Sequence, residues 1–179
     1  AGVSKGSEVG LAAEQDAFGK AVTSKACKGL VHMFFASRST AAVPGVTDVG
    51  LKPRATKCVA VVGGGLMGSG IATACALAGV RVMLKEINQK FLDAGMGRIK
   101  ANLASNVKKG RMTQQKADAI YSLCVPCLTY DKFGDADMVI EAVIENLDLK
   151  QKIFADLERS CRPDCILSTN TSTIDITKV

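Results

Sequence analysis

The chain is poor in aromatic residues and in histidine. Of its 179 residues only 4% are Phe, Trp or Tyr, and tryptophan is absent. Because proteins that read single-stranded RNA stack its bases on aromatic side chains, this composition argues against specific base recognition. The one histidine, His32, lies in an apolar helical stripe, where we expect it to occupy a helix face rather than a catalytic site.

A secretory leader and a disulfide framework are not recognisable either. The cysteines number seven, which is odd, and most of them lie in apolar runs. This pattern favours reduced thiols in an intracellular compartment. Cys124-x-x-Cys127 and Cys161-x-x-x-Cys165 could suggest zinc, but 33 residues separate the pairs and only the first has a typical spacing. We expect buried structural cysteines and no metal site.

The longest uncharged run, Val59–Val80, has 22 residues and could in principle cross a bilayer. Six of these residues are glycine, clustered mainly at one point of the run. Each glycine costs a helix interior about 1 kcal/mol relative to alanine, so a membrane helix is disfavoured. With 47% hydrophobic residues overall, the chain instead has enough apolar side chains for a globular core.

Within this run an apolar segment, Val59–Val62, enters a glycine loop of the G-x-G-x-x-G type. Gly63 permits the tight turn, Gly65 lets the backbone approach phosphate groups, and Gly68 lets the following helix pack against the strand. The helix, which includes the alanine-rich segment Ile71–Ala78, would then direct its N-terminus at an anion. The pattern predicts a dinucleotide-binding strand, turn and helix.

An acidic residue stands where a dinucleotide site needs one. Val80–Glu86 predicts a second buried strand, and Glu86 lies 18 residues beyond Gly68. This is close to the offset of about 20 residues at which a carboxylate binds the adenosine ribose. A carboxylate there repels a 2′-phosphate, which favours NAD over NADP, although the neighbouring Lys85 weakens this preference slightly.

The rest of the chain alternates between helices and strands, which predicts an α/β protein with a Rossmann-like, doubly wound parallel sheet preceded by a helical linker segment. The expected helices are Asn88–Lys108, Thr113–Leu123 and Leu147–Ser160, and the expected strands are Cys127–Tyr130, Asp137–Val143 and Cys165–Ser168. We expect three regions along the chain. Residues 1–38 form a helical segment, of which about the first ten are disordered, residues 39–57 form a linker, and residues 58–179 form the dinucleotide-binding domain.

The helical segment carries an apolar stripe between Leu11 and Arg38, interrupted by Gly19 and Gly29, so that one helix or two would fit. The net charge is +6 and uneven: residues 1–57 hold eight Lys and Arg against four Asp and Glu. Seven basic residues against two acidic ones also lie in Lys90–Asp118. Solvated helix faces explain such runs, but a CoA phosphate or a polyanion such as RNA or a microtubule surface would also suit them.

Three stretches together resemble the L-3-hydroxyacyl-CoA dehydrogenases. They are Val61–Ala72 (VVGGGLMGSGIA), Val139–Asn146 (VIEAVIEN) and Ser168–Ser172 (STNTS), in that order. Upstream, Lys28–Ala36 and Val46–Arg54 are similar to the stretch that joins the enoyl-CoA hydratase and dehydrogenase units of multifunctional fatty-acid β-oxidation proteins, most of all the plant peroxisomal type.

The resemblance implies a role for several residues. Those expected to line the pyrophosphate and adenosine are Gly63, Gly65, Leu66, Met67 and Gly68, with Glu86 on the adenosine ribose. Those expected on the nicotinamide side are Val143, Glu145, Lys150, Asn170 and Ser172. Ser172 would also support catalysis near the 3-oxygen of the substrate. Two simpler interpretations remain open: Lys150 could be a surface residue, and Asn170 or Ser172 could cap a helix.

In this family a histidine removes the hydroxyl proton while hydride passes from the 3-carbon of a hydroxyacyl-CoA to NAD. That histidine follows the position of Ser172 by more than the seven residues that remain here. We therefore expect these 179 residues to be a piece of a longer protein. Alone, this piece should bind NAD weakly and should not turn over substrate. The resemblance further implies an acyl-CoA substrate and a peroxisomal location, with the cytoplasm as a second possibility.

Overall fold

A computed structural model of the chain describes residues 2–179, which divide into two compact units. The first unit ends at Arg54, and the second runs from Ala55 to Val179. None of the helices in the described residues is long and apolar enough to cross a membrane.

The first unit consists of three helices, α1 (Gly2–Lys5), α2 (Ser7–Thr23) and α3 (Lys25–Ser39). The apolar stripe therefore lies on two helices, which meet at Ser24 rather than at a glycine. The Ser24 side chain accepts the N–H of Cys27 and so caps the start of α3.

The expectation of a disordered first ten residues differs from the structure, in which helix covers residues 2–5 and continues from residue 7. The small and polar residues there indicated disorder, but the alanine and glutamate residues of α2 are strong helix formers. An ion pair of 2.6 Å between Lys20 and Asp16, one turn apart, adds to them.

The second unit alternates five strands with four helices. Its strands are β1 (Cys58–Val62), β2 (Arg81–Lys85), β3 (Cys124–Cys127), β4 (Met138–Glu141) and β5 (Ile166–Thr169). Its helices are α4 (Leu66–Leu77), α5 (Gln89–Lys108), α6 (Gln114–Tyr121) and α7 (Leu147–Ser160), with short 3₁₀ turns at Phe133–Asp135 and Ile176–Lys178.

All strand pairs are parallel, and the strands lie in the order β3-β2-β1-β4-β5. This is the order of the first five strands of a doubly wound dinucleotide-binding sheet, in which the order reverses between β1 and β4. β1 is buried along its whole length, and a hydrophobic cluster packs on each face of the sheet. The expected Rossmann-like α/β fold is confirmed.

One predicted strand was wrong. The sequence favoured Cys127–Tyr130, whereas the third strand is Cys124–Cys127 and pairs with β2 through Val82 and Cys124 at one end and Lys85 and Cys127 at the other. β3 contains Pro126, and a proline has no N–H to donate to a ladder. β3 is an edge strand, however, and a proline can occupy an edge.

The amino ends of β1 and β4 are tied together by one carboxylate. Asp137 accepts the N–H groups of Lys57 at 2.8 Å and Cys58 at 3.0 Å, and it pairs with Arg162 at 3.0 Å. These backbone hydrogen bonds, helped by the guanidinium, hold the pKa of the Asp137 carboxyl below its ordinary value of 3.8.

We expect Asp137→Ala to lower the stability of the second unit in a pH-dependent way. Because the folded pKa is depressed, the contribution of Asp137 is complete above the ordinary pKa and is lost as the pH falls through the lowered folded value. Urea unfolding of both proteins should therefore show a stability gap at neutral pH that closes below about pH 4. Asp135→Ala, at an exposed neighbouring acid, is the control. A gap that persists unchanged in acid would contradict this role.

Candidate functional site

A cleft of about 600 Å³ opens at the carboxyl ends of β1, β2 and β4. In open α/β sheets, ligands bind at this edge, where the strand order reverses. Its walls come from the glycine loop, the end of β2, the β4–α7 loop and α7. Among the lining residues are Gly63, Gly65, Glu86, Phe91, Tyr130, Val143 and Lys152. Four of the residues predicted to bind the cofactor, Gly63, Gly65, Glu86 and Val143, line this cleft. The other predicted residues are not among its lining residues: Leu66, Met67, Gly68, Glu145, Lys150, Asn170 and Ser172.

Gly63 and Gly68 are required by the fold itself. Gly63 has φ of +100°, and a Cβ there would lie 2.7 Å from the Ala142 carbonyl oxygen. A Cβ at Gly68 would lie 1.8 Å from the Gly63 carbonyl oxygen, which is far inside van der Waals contact. The two glycines let α4 pack directly on the turn that follows β1.

Gly65 has a different environment. A Cβ on Gly65 would meet no atom of residues 2–179 within 4 Å. Gly65 is the N-cap of α4, where glycine offers no side chain to cover the first N–H groups of the helix. The next two side chains, Leu66 and Met67, are 84% and 55% exposed. The helix start is therefore open to an anion approaching from the cleft.

Glu86 is fixed against the glycine loop. Its Oε1 accepts the N–H of Gly64 at 2.6 Å, and its Oε2 accepts the N–H of Ile87 at 3.1 Å. On α5, Arg98 donates to the Gly64 carbonyl oxygen at 3.1 Å, so the loop is held from both sides. A carboxylate thus stands beside the loop at the end of β2, as the sequence predicted.

Lys85, the cation next to Glu86 in the chain, contacts the aromatic ring of Tyr130. The Lys85 ammonium lies 4.3 Å from the centre of the Tyr130 ring, and burial lowers the pKa of Lys85. A cation over an aromatic ring is stabilised by the ring quadrupole. Lys85 therefore has a partner within the protein and does not simply offset the charge of Glu86.

Glu145, which follows the cleft-lining residues Val143 and Ile144 in the chain, contacts Thr171 and Ser172. The Thr171 hydroxyl donates to Glu145 Oε2 at 2.9 Å, and the Ser172 N–H donates to Glu145 Oε1 at 3.3 Å. The hydrogen bond from Thr171 is the main reason that the pKa of Glu145 lies below its usual range. Asn170 and Ser172 lie in an irregular segment, and Asp175 caps the 3₁₀ turn that follows it. The simpler interpretation of Asn170 and Ser172 as helix caps is wrong.

Lys150 is neither at the surface nor exposed to the cleft. Its side chain is 0% exposed, and its Nζ lies 2.8 Å from both carboxylate oxygens of Glu141, which is equally buried. Nζ is also 3.6 Å from Glu145 Oε2. The surface interpretation of Lys150 is therefore wrong, because its ammonium contacts two acids, Glu141 and Glu145. Its approach to the cofactor stays a prediction. Sequence reasoning missed Glu141, although an acid within a buried strand was the available signal.

The cysteines take no part in this site. No disulfide joins any of the seven, which all lie within the described residues, and burial raises the pKa of Cys124 to about 11 and that of Cys161 to about 12. Thiols with raised pKa values are poor nucleophiles and poor metal ligands. Among residues 2–179, no group of three or more Cys, His, Asp or Glu side chains is placed to hold a metal ion.

A parallel sheet in this order, with a glycine loop and a carboxylate at its reversal point, defines a dinucleotide-binding domain. The family model described as 3-hydroxyacyl-CoA dehydrogenase, NAD binding domain, matches residues 58–179. The chain belongs to this family, and NAD is the cofactor of the domain. The resemblance drawn from the three sequence stretches is confirmed.

Relatives extend the similarity to the whole chain. It is 58% identical over 175 residues to the glyoxysomal fatty acid beta-oxidation multifunctional protein MFP-a of Cucumis sativus, covering 98% of this chain and 24% of that protein. It is 56% identical over 178 residues to the peroxisomal multifunctional protein MFP2 of Arabidopsis thaliana, covering 99% and 25% respectively. The chain thus spans about a quarter of the length of these curated relatives.

A solved structure agrees with the fold. The (S)-3-hydroxybutyryl-CoA dehydrogenase PaaH1 of Ralstonia eutropha superposes with a TM-score of 0.67 at 34% identity, covering 69% of this chain and 44% of that one. The alternative of a basic RNA- or microtubule-binding module gains no support from these relatives, and neither does a cytoplasmic location.

Proposed function

We propose that the glycine loop and the cleft beside it bind NAD through the residues that the sequence indicated. Gly63 and Gly68 shape the turn, while Gly65, Leu66 and Met67 face the pyrophosphate and adenosine. The observation that carries this proposal is the empty space at Gly65, because the described protein atoms give no reason for a glycine there and a closely approaching phosphate does. The uncapped start of α4 supplies N–H groups for that anion.

Glu86 would hold the adenosine ribose. Two backbone N–H groups already orient its carboxylate, and a carboxylate has acceptor capacity left for ribose hydroxyls. A 2′-phosphate would meet this negative charge, which favours NAD over NADP. The engagement of Lys85 with Tyr130 supports the same preference.

The nicotinamide side would lie at Val143, Glu145, Asn170 and Ser172. The buried Lys150 would act on it indirectly, through its contact with the Glu145 carboxylate. When bound, NAD supplies the acceptor for a hydride. The protein groups orient the ring, and the Ser172 hydroxyl supports the 3-oxygen of the substrate. The joint hold of Thr171 and Ser172 on Glu145 supports placing these residues together.

At the level of the whole protein, we infer the dehydrogenase step of a peroxisomal multifunctional β-oxidation enzyme that acts on acyl-CoA substrates. The match of relatives over residues upstream of the family domain supports residues 1–38 as the end of a hydratase unit, 39–57 as a linker and 58–179 as the NAD-binding domain. We predict that these 179 residues are catalytically inactive alone. Their one histidine, His32, lies on α3 in the other unit and not at the candidate site.

The test is NAD titration by calorimetry of the chain and of Gly65→Ala. The wild-type chain should bind NAD, and Gly65→Ala should raise the Kd by about tenfold, or about 1.4 kcal/mol, because a methyl group occupies the space of the phosphate. The thermal midpoint should stay unchanged, since that methyl group meets no atom of the described residues within 4 Å.

Gly97→Ala is the matched control, as a Cβ at Gly97 on α5 would also meet nothing within 4 Å in residues 2–179. It should leave NAD binding unchanged. Equal affinities of Gly65→Ala and the wild-type chain would remove the loop from the cofactor site.

A further inference from the structure

A buried carboxylate at the end of β4 is saturated with donors. Glu141 is 0% exposed and receives Lys150 Nζ at 2.8 Å on both oxygens. The Val143 N–H donates to Oε1 at 2.7 Å, and the Thr169 hydroxyl donates to Oε2 at 2.5 Å. Four donor contacts thus fix one carboxylate where β4, β5 and α7 come together.

Stability alone does not account for such a pair. Removing two charges from water costs several kcal/mol per ion, and apolar replacements of buried ion pairs are often as stable or more so. A buried ion pair at the sheet edge where ligands bind calls for a role that an apolar pair could not fill.

The Glu141–Lys150 pair is connected to a third charged group, Glu145. Lys150 Nζ lies 3.6 Å from Glu145 Oε2, and Glu145 in turn holds the Thr171 hydroxyl and the Ser172 N–H. The backbone also joins in, because the Asn170 N–H donates to the Glu141 carbonyl oxygen at 2.7 Å. One line of alternating charges therefore runs from the buried end of β4 to the segment after β5.

We propose that Glu141 is a positioning residue, which holds Lys150 in place and thereby fixes Glu145 and the Asn170–Ser172 segment for the nicotinamide half of NAD. This rests on the proposed function. The hydroxyl groups of Thr169 and Thr171 donate to the carboxylates at the two ends of this line, Glu141 and Glu145. The adenosine half depends instead on Glu86 and the glycine loop. Among residues 2–179, the Glu141 and Lys150 side chains make no hydrogen bond to Glu86 or to that loop.

The two halves of the cofactor can be tested separately with NAD and ADP-ribose, which lacks the nicotinamide ring. In Glu141→Gln the carboxamide keeps the shape but loses the charge that holds Lys150. We expect the Kd for NAD to rise about tenfold and the Kd for ADP-ribose to change by less than about twofold. Calorimetry on the 179-residue chain gives both values, and Glu158→Gln, at an exposed acid of α7, is the matched control.

Thr169→Val and Thr171→Val keep the test decisive if Glu141→Gln does not fold. Each removes one hydroxyl from the line at nearly constant volume, and each should weaken NAD binding about threefold while ADP-ribose binding stays constant. Equal losses for NAD and ADP-ribose, or no loss for either, would overturn the positioning role. Failure of the wild-type chain to bind ADP-ribose would instead overturn the proposed function itself.

Discussion

Gly68→Ala should abolish the stable fold of the second unit or lower its stability by about 3 kcal/mol, the upper range for overpacking. The added methyl group would lie 1.8 Å from the Gly63 carbonyl oxygen, which is backbone and cannot rotate away. Relief requires α4 to move off β1, and this separates the most buried strand of the sheet from its helix. Thermal unfolding followed by circular dichroism measures the effect.

Gly70→Ala supplies the control for this substitution on the same helix. A Cβ at Gly70 would meet no atom within 4 Å among residues 2–179, so the change should stabilise α4 by up to about 1 kcal/mol through helix propensity. If Gly68→Ala and Gly70→Ala gave equal stabilities, the tight contact between α4 and the turn after β1 would be wrong.

Lys150→Met should cost about 3–5 kcal/mol, because it leaves the Glu141 carboxylate buried without its counter-ion. The remaining donors, the Val143 N–H and the Thr169 hydroxyl, are neutral and do not replace an ammonium. Urea unfolding at neutral pH measures the loss.

The double variant Glu141→Gln/Lys150→Met separates the cost of the stranded charge from the worth of the pair. It removes both charges and should recover most of the loss, since buried ion pairs contribute little net stability. A double variant as unstable as Lys150→Met would show that the pair itself stabilises the fold. Lys152→Met, on the same helix but with an exposed lysine, should change stability little.

Local sequence signals predicted the elements whose ends are set by local chemistry. The helix expected at Leu147–Ser160 has those bounds in the structure, and its N-cap Asn146 accepts the Leu149 N–H at 2.9 Å. Likewise Asn88 caps α5 by accepting the Phe91 N–H. Such caps involve residues three positions apart, so a single sequence contains the whole interaction.

Elements that depend on distant partners were harder to predict. β3 was misplaced because its position is set by pairing with β2. The two strands are distant in sequence, since Cys124 pairs with Val82 some forty residues upstream. The partners of Glu141 were missed for the same reason: Lys150 lies on α7 and Thr169 on β5, so three separate elements meet at one carboxylate. An acidic residue inside an apolar run signals a buried partner, but it does not say which cation supplies it.

The candidate site shows the same division. The glycine spacing and Glu86 were readable because the loop and the carboxylate belong to one strand, turn, helix and strand segment. The motif already assigned Gly68 to helix packing and Gly65 to phosphate approach. The coordinates add the atoms concerned, because a Cβ at Gly68 would collide with the Gly63 carbonyl oxygen whereas a Cβ at Gly65 would meet no atom of the described residues within 4 Å.

The strand order also affects how the domain folds. β1 lies between β2 and β4, so the central strand acquires its second neighbour only when a distant part of the chain arrives; Lys57 and Asp137, joined at the start of that pairing, are 80 positions apart. Closing a flexible segment of this length costs on the order of 4 kcal/mol in chain entropy, before the contacts it permits are gained. Folding dominated by such remote pairings is slow compared with that of helical bundles. We therefore expect the candidate cleft, which needs the β4–α7 loop for one wall, to be completed late in folding. NAD bound there would stabilise only molecules whose sheet is already closed.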